Sequence, residues 1–172
     1  MTPSRHVCLV GLSGTGKSSV APLLAGILDL GFVDLDDAVA QGAGRSVGEL
    51  FELEGEQGFR ELELDALRSA LAGPDSVVAT GGGVVTTPAA TKLLAERATV
   101  AWLRASPDVI LARLDAHDEG RPLLSGNAAD RLASMAAERV PLYEAIADLV
   151  VDVDDLDPAE VARRIAHGLG GA

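Results

Sequence analysis

The sequence predicts an α/β fold in a single domain, with a parallel sheet flanked by helices. Three observations carry that expectation. Short apolar runs alternate with segments of helical period, which is the pattern of βαβ units. A glycine-rich stretch, Gly11-Leu12-Ser13-Gly14-Thr15-Gly16-Lys17-Ser18, joins the first apolar run to the first helical segment. No repeat, low-complexity tract or Ser/Pro-rich linker divides the 172 residues, a length that suits one ordinary core.

In chain order, the first strand is expected at His6–Val10, around the run Val7-Cys8-Leu9-Val10, with a helix over Ser18–Leu30 behind the glycine-rich stretch. A second strand at Gly31–Val33 precedes helical segments at Val47–Leu53 and Glu56–Leu71, the latter amphipathic with Phe59 and Leu62 facing inward. Ser76–Ala79 forms a third strand and Thr87–Glu96 a helix; Ala98–Leu103 forms a fourth strand and Ser106–Ala116 a helix. A helix over Ala128–Ala147, a fifth strand at Leu149–Val153 and a helix over Pro158–Gly168 complete the series. Ser106-Pro107 and Asp157-Pro158 each read as an N-cap followed by proline at the first helical position, where no N–H is needed. The polar stretch His117–Gly126, with two glycines and a proline, reads either as a solvated connection or as a mobile lid over a substrate.

Composition narrows the function. Hydrophobic residues make up 48% and charged residues 23%, a globular balance, while aromatics at 3% leave the core to aliphatic side chains. Fourteen Lys and Arg against twenty-six Asp and Glu give a net charge of −12, which argues against nucleic acid as partner. An acidic chain that binds anions must do so with a few placed cations, and there are only two lysines, Lys17 and Lys92. Cys8 is the only cysteine, so no intrachain disulfide forms and a reducing cytosol suits the chain. No apolar run approaches membrane-spanning length. A monomeric, cytoplasmic protein is expected.

Gly11–Ser18 matches G-x-x-x-x-G-K-[ST], placed between strand and helix. Glycines let the backbone curl so that N–H groups point at phosphate oxygens, and the helix start adds its positive end. Lys17 is placed to neutralise the outer phosphates and the Ser18 hydroxyl to ligate Mg²⁺; Gly11, Ser13, Gly14, Thr15, Gly16 and Ser19 complete the cradle for a nucleoside triphosphate. This establishes a P-loop NTPase fold without separating kinases from GTPases or motor ATPases.

The remaining polar motifs each admit two readings. Asp34-Leu35-Asp36 follows the second strand, and alternation along an extended segment would aim both carboxylates one way. One would serve the metal and the other an acceptor hydroxyl; alternatively, Asp36 or Asp37 caps the next helix. Asp152, after Leu149-Val150-Val151, is a rival metal acid from a strand far along the chain. Arg60 and Glu63 stand at i, i+3, which by spacing alone is an ordinary surface ion pair. Thr80-Gly81-Gly82-Gly83 reads as close approach of backbone to a ligand or as a tight turn. Arg121 in the polar stretch and Arg139 beside Pro141 each read alone as surface arginines, though a bend at Pro141 would expose Arg139.

Together these segments resemble the shikimate kinase family, whose motifs run in order along nearly the whole chain. They are the P-loop, Asp34/Asp36, Gly44-Arg45-Ser46-Val47-Gly48-Glu49-Leu50-Phe51, Gly55–Glu63, Thr80–Gly83, Arg121-Pro122-Leu123-Leu124 and Arg139–Tyr143. The resemblance implies a five-stranded parallel sheet of order 2-3-1-4-5, an acceptor-binding region over about 34–63 and a lid over about 114–127. It implies ATP and shikimate as substrates, with transfer of the γ-phosphoryl group to the shikimate 3-hydroxyl. By the same resemblance, Asp34 holds Mg²⁺ with Ser18, and Asp36 binds the acceptor hydroxyls. Arg60 and Arg139 clamp the carboxylate, Glu63 orients Arg60, and Gly81, Gly82 and Gly83 floor the pocket. Arg121 reaches the transferring phosphate, while Arg113 and Pro158 lie against adenine. The family often carries Glu where Ala40 stands, and the stretch between Arg113 and Arg121 is one residue longer than in some relatives and lacks their glycines. A gluconate kinase-like sugar-acid kinase and a degenerate, non-catalytic ATP-binding homologue are the competing readings.

Overall fold

The computed structural model describes residues 6–117 and 127–170. Its elements run β1 (Val7–Val10), α1 (Lys17–Leu28), β2 (Gly31–Asp34), α2 (Leu35–Ala43), α3 (Val47–Ala72), β3 (Ser76–Ala79), α4 (Pro88–Arg97), β4 (Thr99–Arg104), α5 (Pro107–His117), α6 (Ala128–Ile146), β5 (Leu149–Asp152) and α7 (Pro158–Gly170). All strand pairs are parallel and the order is β2-β3-β1-β4-β5, as the family resemblance implied.

Side chains of β1 alternate between two cores, which is why its four residues read as an unbroken apolar run. Val7 and Leu9 pack with Val20 and Leu24 of α1 and Val161 and Ile165 of α7 on one face. Cys8 and Val10 pack with Leu67, Leu71, Leu94, Trp102 and Tyr143 on the other. Each fully buried Leu contributes about 1.5–3 kcal/mol over exposure. These layers hold the strand ends in fixed register, so the loops after β1, β2 and β3 open at one sheet edge.

Both proline-marked helix starts are formed. The Ser106 hydroxyl accepts from Val109 N–H at 3.4 Å, and Asp157 accepts from Glu160 N–H at 2.8 Å. At α1 the first residue of the helix is preceded by Gly16 at φ 95°, a left-handed conformation that side-chain-bearing residues avoid.

Two local expectations need correction, and a third is met by a break inside a helix. Asp34-Leu35-Asp36 is not extended: Leu35 already begins α2, a helix not anticipated from the sequence. The cap is Asp34 itself, whose carboxylate accepts from Asp36 N–H at 3.0 Å and Asp37 N–H at 3.3 Å, so neither Asp36 nor Asp37 caps. The helical segments expected at 47–53 and 56–71 are both present within α3, and the chain leaves helical geometry between them at Gly55 (φ 69°, ψ −179°), as the two separate segments implied. In an unbroken helix, residues eight apart stand about 12 Å apart along the axis. The break instead lets Phe51 and Phe59 stack with ring centroids 4.3 Å apart. Finally, α6 runs continuously through Pro141, and Arg139 is half-buried rather than exposed at a bend.

Candidate active site

The P-loop, the start of α2, the middle of α3 and the glycine turn after β3 converge on one cleft. A cavity of about 250 Å³ is lined by Ser13, Gly14, Gly16, Lys17, Ser18 and Ser19 of the first group, and by Asp36, Thr80, Gly81 and Gly82 opposite. Thr80 ties the glycine turn to the P-loop strand, its hydroxyl donating to the Leu9 carbonyl at 2.8 Å. By sequence Thr80 is only the first residue of the Thr80–Gly83 motif, and the bond from its hydroxyl to β1 exists only in the fold.

Lys17 is buried, and its ammonium donates to the Gly11 and Leu12 carbonyls at 2.7 and 2.9 Å. Burial pulls its pKa down to about 8, against the opposing pull of Asp36 and Asp34. An ammonium held at such expense beside a concave loop is poised to exchange carbonyl partners for phosphate oxygens. Ser18 donates its hydroxyl to Asp34 at 2.6 Å, so the P-loop oxygen and the strand-end acid meet at the cleft mouth. Hard oxygen donors of this kind fit Mg²⁺, which binds through one or two carboxylates plus phosphates and water rather than through a full protein cage. Among the described residues no cluster of three His, Cys, Asp or Glu side chains offers such a cage. Asp152, the rival metal acid, is instead paired with Arg104 through two hydrogen bonds at the β4–β5 ends.

Asp36 lies across from Lys17. Its carboxyl is pushed above the usual range first by burial and then by the Asp34 charge, with Lys17 and Arg60 pulling the other way. Arg60 and Glu63 form an ion pair at 2.7 Å, and side-chain exposures of 14% and 2% show that this is no surface pair. The Arg60 guanidinium also sits over Phe51 and Phe59, 5.9 and 5.4 Å from their centroids. Spacing alone misjudged this pair, because the aromatic wall that buries it exists only once α3 breaks at Gly55. The Glu63 carboxyl is raised by burial, and among the charges acting on it are Arg60, Asp36 and Arg139. Arg60 Nε, Glu63 Oε1 and Arg139 Nε are buried with no hydrogen-bond partner among the described residues. Unsatisfied buried groups are costly, so three in one cluster mark a place for a polar ligand.

The glycine turn fits this cluster because it has no side chains. A Cβ at Gly81 would lie 2.3 Å from Glu63 Oε1, and one at Gly83 would lie 1.9 Å from Arg60 Nη2. A Cβ at Gly82 would lie 3.1 Å from Ser13 N, so the turn also presses on the P-loop. On the other side of the P-loop, a cavity of about 260 Å³ is lined by Gly14, Thr15, Gly16, Ser19, Arg113, Leu114, Val153, Leu156 and Pro158, among others. Arg113 spans it, donating to the Thr15 carbonyl at 3.2 Å and the Val153 carbonyl at 3.0 Å. The expected site residues are thus brought together, with one exception. Arg121 and most of the expected lid, 118–126, lie outside the described residues.

The family model for shikimate kinase matches residues 13–169. The chain belongs to the shikimate kinase family. A shikimate kinase of Halorhodospira halophila is 46% identical over 172 residues, covering 99% of this chain and 96% of that one. One of Mycobacterium bovis is 40% identical over 162 residues, covering 94% and 91%. Among solved structures, a shikimate kinase from Acinetobacter baumannii in complex with shikimate superposes with a TM-score of 0.90 at 30% identity, covering 99% and 94%. The shikimate kinase of Aquifex aeolicus gives 0.80 at 30%, covering 96% of each chain. Lys17 and Asp36 line the same cleft.

Proposed function

We propose that this kinase transfers the γ-phosphoryl group of ATP to the 3-hydroxyl of shikimate, giving shikimate 3-phosphate and ADP, a step of chorismate and aromatic amino-acid biosynthesis. The observation that carries the reading is the cluster of unpartnered buried polar atoms on Arg60, Glu63 and Arg139, packed against the glycine turn that, with Asp36, lines the cleft holding Lys17. A planar carboxylate suits two guanidinium groups, and hydroxyls suit carboxylates.

The residues then divide the work. Lys17 and the P-loop N–H groups bind and neutralise the phosphates, while the cavity between Arg113 and Pro158 receives the adenine. Arg60 and Arg139 hold the shikimate carboxylate, and Glu63 keeps Arg60 aimed. Gly81, Gly82 and Gly83 let the acceptor ring come close. Asp36 orients the acceptor hydroxyl and takes up its proton as the phosphorus–oxygen bond forms. Ser18 and Asp34 are the residues that would hold Mg²⁺, which supplies charge neutralisation across the phosphate oxygens when bound. Arg121, assigned on its motif alone, closes over the transferring phosphate as part of a lid over about 114–127, and the acceptor-binding region covers about 34–63. Lid closure excludes water, which would otherwise take the phosphoryl group.

No described helix is long and apolar enough to cross a membrane, and the reading places a monomer in the cytoplasm. Acceptor-dependent ADP release on a panel of hydroxy acids tests the proposal. Release with shikimate and not with gluconate is expected. Release with gluconate alone, or nucleotide binding without any acceptor-dependent release, overturns it.

A further inference from the structure

We propose that Tyr143 is a positioning residue for the acceptor site, its hydroxyl bridging the Arg139 guanidinium and the Gly82 carbonyl. The inference rests on the reading of Arg139 as a clamp on the acceptor carboxylate.

Tyr143 is fully buried, the largest side chain in the core to be so. It stands one helical turn beyond Arg139 on α6, so the two side chains share a face. Its hydroxyl donates to the Gly82 carbonyl. The Arg139 guanidinium stands beside the same turn, with Nη1 3.6 Å from where a Gly82 Cβ would lie, and its charge acts on the phenol oxygen. A phenol both donates and accepts, so the oxygen that donates to Gly82 keeps a lone pair for Arg139. Its ring is held in turn against Trp102, with centroids 5.8 Å apart.

The consequences run to both ends of the bridge. At one end, the phenol oxygen favours one orientation of the Arg139 guanidinium, whose Nε is buried and unpartnered, open to a ligand. At the other end, Tyr143 pins the middle glycine of a turn that rests on Ser13 of the P-loop. One hydroxyl therefore ties the carboxylate-binding arginine to the wall that separates acceptor from phosphates. Phenylalanine would fill the same volume and keep the Trp102 contact, but would leave the Gly82 carbonyl without its donor and Arg139 without its guide.

The test is a double-mutant cycle on the full chain, read by steady-state kinetics and thermal melting. Tyr143→Phe is expected to raise KM for shikimate about tenfold, in line with loss of a hydrogen bond to a charged group, while KM for ATP stays within about twofold. Arg139→Ala is expected to raise KM for shikimate further. Adding Tyr143→Phe to Arg139→Ala is expected to change little, because the guided group is gone. An unchanged KM in Tyr143→Phe beside a raised one in Arg139→Ala overturns the positioning role alone. Full multiplication of the two effects, or equal rises in both substrates' KM values with a lowered melting point, also overturns it, since that is the signature of a loosened fold. An unchanged KM in Arg139→Ala overturns the carboxylate clamp and the positioning role with it. Tyr143 is the chain's only tyrosine, so replacement by 3-fluorotyrosine labels this position alone and gives a reading independent of Tyr143→Phe folding. A ¹⁹F resonance that moves as shikimate is titrated in supports the bridge, and one that stays still refutes it.

Discussion

Lys17→Met is expected to abolish phosphoryl transfer while making the nucleotide-free protein more stable at neutral pH. Methionine matches the lysine stem in shape but carries no charge into the buried site. The cost it removes follows from the pKa: burial takes Lys17 from 10.5 to about 8. At about 1.4 kcal/mol per pH unit, that is ~3 kcal/mol of penalty on the charged form. Two hydrogen bonds, to the Gly11 and Leu12 carbonyls, are lost with it, at about 0.5–1.5 kcal/mol each. The balance is a gain of about 1 kcal/mol, or a few degrees in melting temperature for a chain of this size.

The pH dependence makes the argument specific. Below about pH 8 the ammonium is charged in folded and unfolded chains alike, and the folded state bears the whole penalty. Between about 8 and 10.5 the unfolded chain binds the proton and the folded chain does not, so wild-type stability rises with pH through that window. By pH 9.5 the wild type recovers about 2 kcal/mol and overtakes Lys17→Met, which has nothing to titrate there. Urea unfolding of both proteins at pH 7 and 9.5 measures this directly, and titrations elsewhere in the chain cancel in the comparison. ATP should raise the melting point of the wild type and leave that of Lys17→Met nearly unmoved. A variant less stable than wild type at pH 7, or a difference that ignores pH, would refute the account of Lys17 as a cation held against its burial cost.

Other outcomes follow from single contacts. Asp36→Asn keeps the side-chain shape and removes a charge that burial and Asp34 both disfavour, so it should melt no lower than wild type yet lose shikimate turnover in a coupled ADP assay. For the wild type, kcat/KM for shikimate should fall on the acid side at a pH above the usual carboxylate range, since protonated Asp36 cannot take up the acceptor proton. Gly83→Ala puts a methyl 1.9 Å from Arg60 Nη2, at the movable end of a long side chain. It should cost little stability but displace the guanidinium, raising KM for shikimate about tenfold or more without a matching rise for ATP. Gly55→Ala forces a side chain into φ 69°, ψ −179°, a conformation essentially reserved for glycine. Denaturant unfolding should show a loss of about 1–3 kcal/mol, and unchanged stability would mean that α3 can straighten freely.

The sequence by itself determined the sheet class, the P-loop and the two proline-marked helix starts. Each of these is a local decision: strand and cap chemistry act within a few residues, and a glycine-lysine loop between strand and helix leaves little else for the backbone to do. Order of motifs along the chain, read as a family resemblance, supplied Asp36, Arg60, Glu63 and Arg139 as one group.

Tertiary structure decided the rest. The Asp34-Leu35-Asp36 triplet reads equally as strand end or helix start, and only the Ser18 hydroxyl and the backbone of α2 settle that Asp34 faces both while Asp36 turns toward Lys17. Arg60 and Glu63 look like a solvated pair because a spacing of i, i+3 carries no information about what lies over it. Phe51, brought back by the break at Gly55, and the glycine turn supply that cover from elsewhere in the chain. Tyr143 read as one more aromatic of a motif until Gly82, sixty-one residues away in sequence, met its hydroxyl. Burial and long-range hydrogen bonding are properties of the packed chain, and no window of sequence contains both partners.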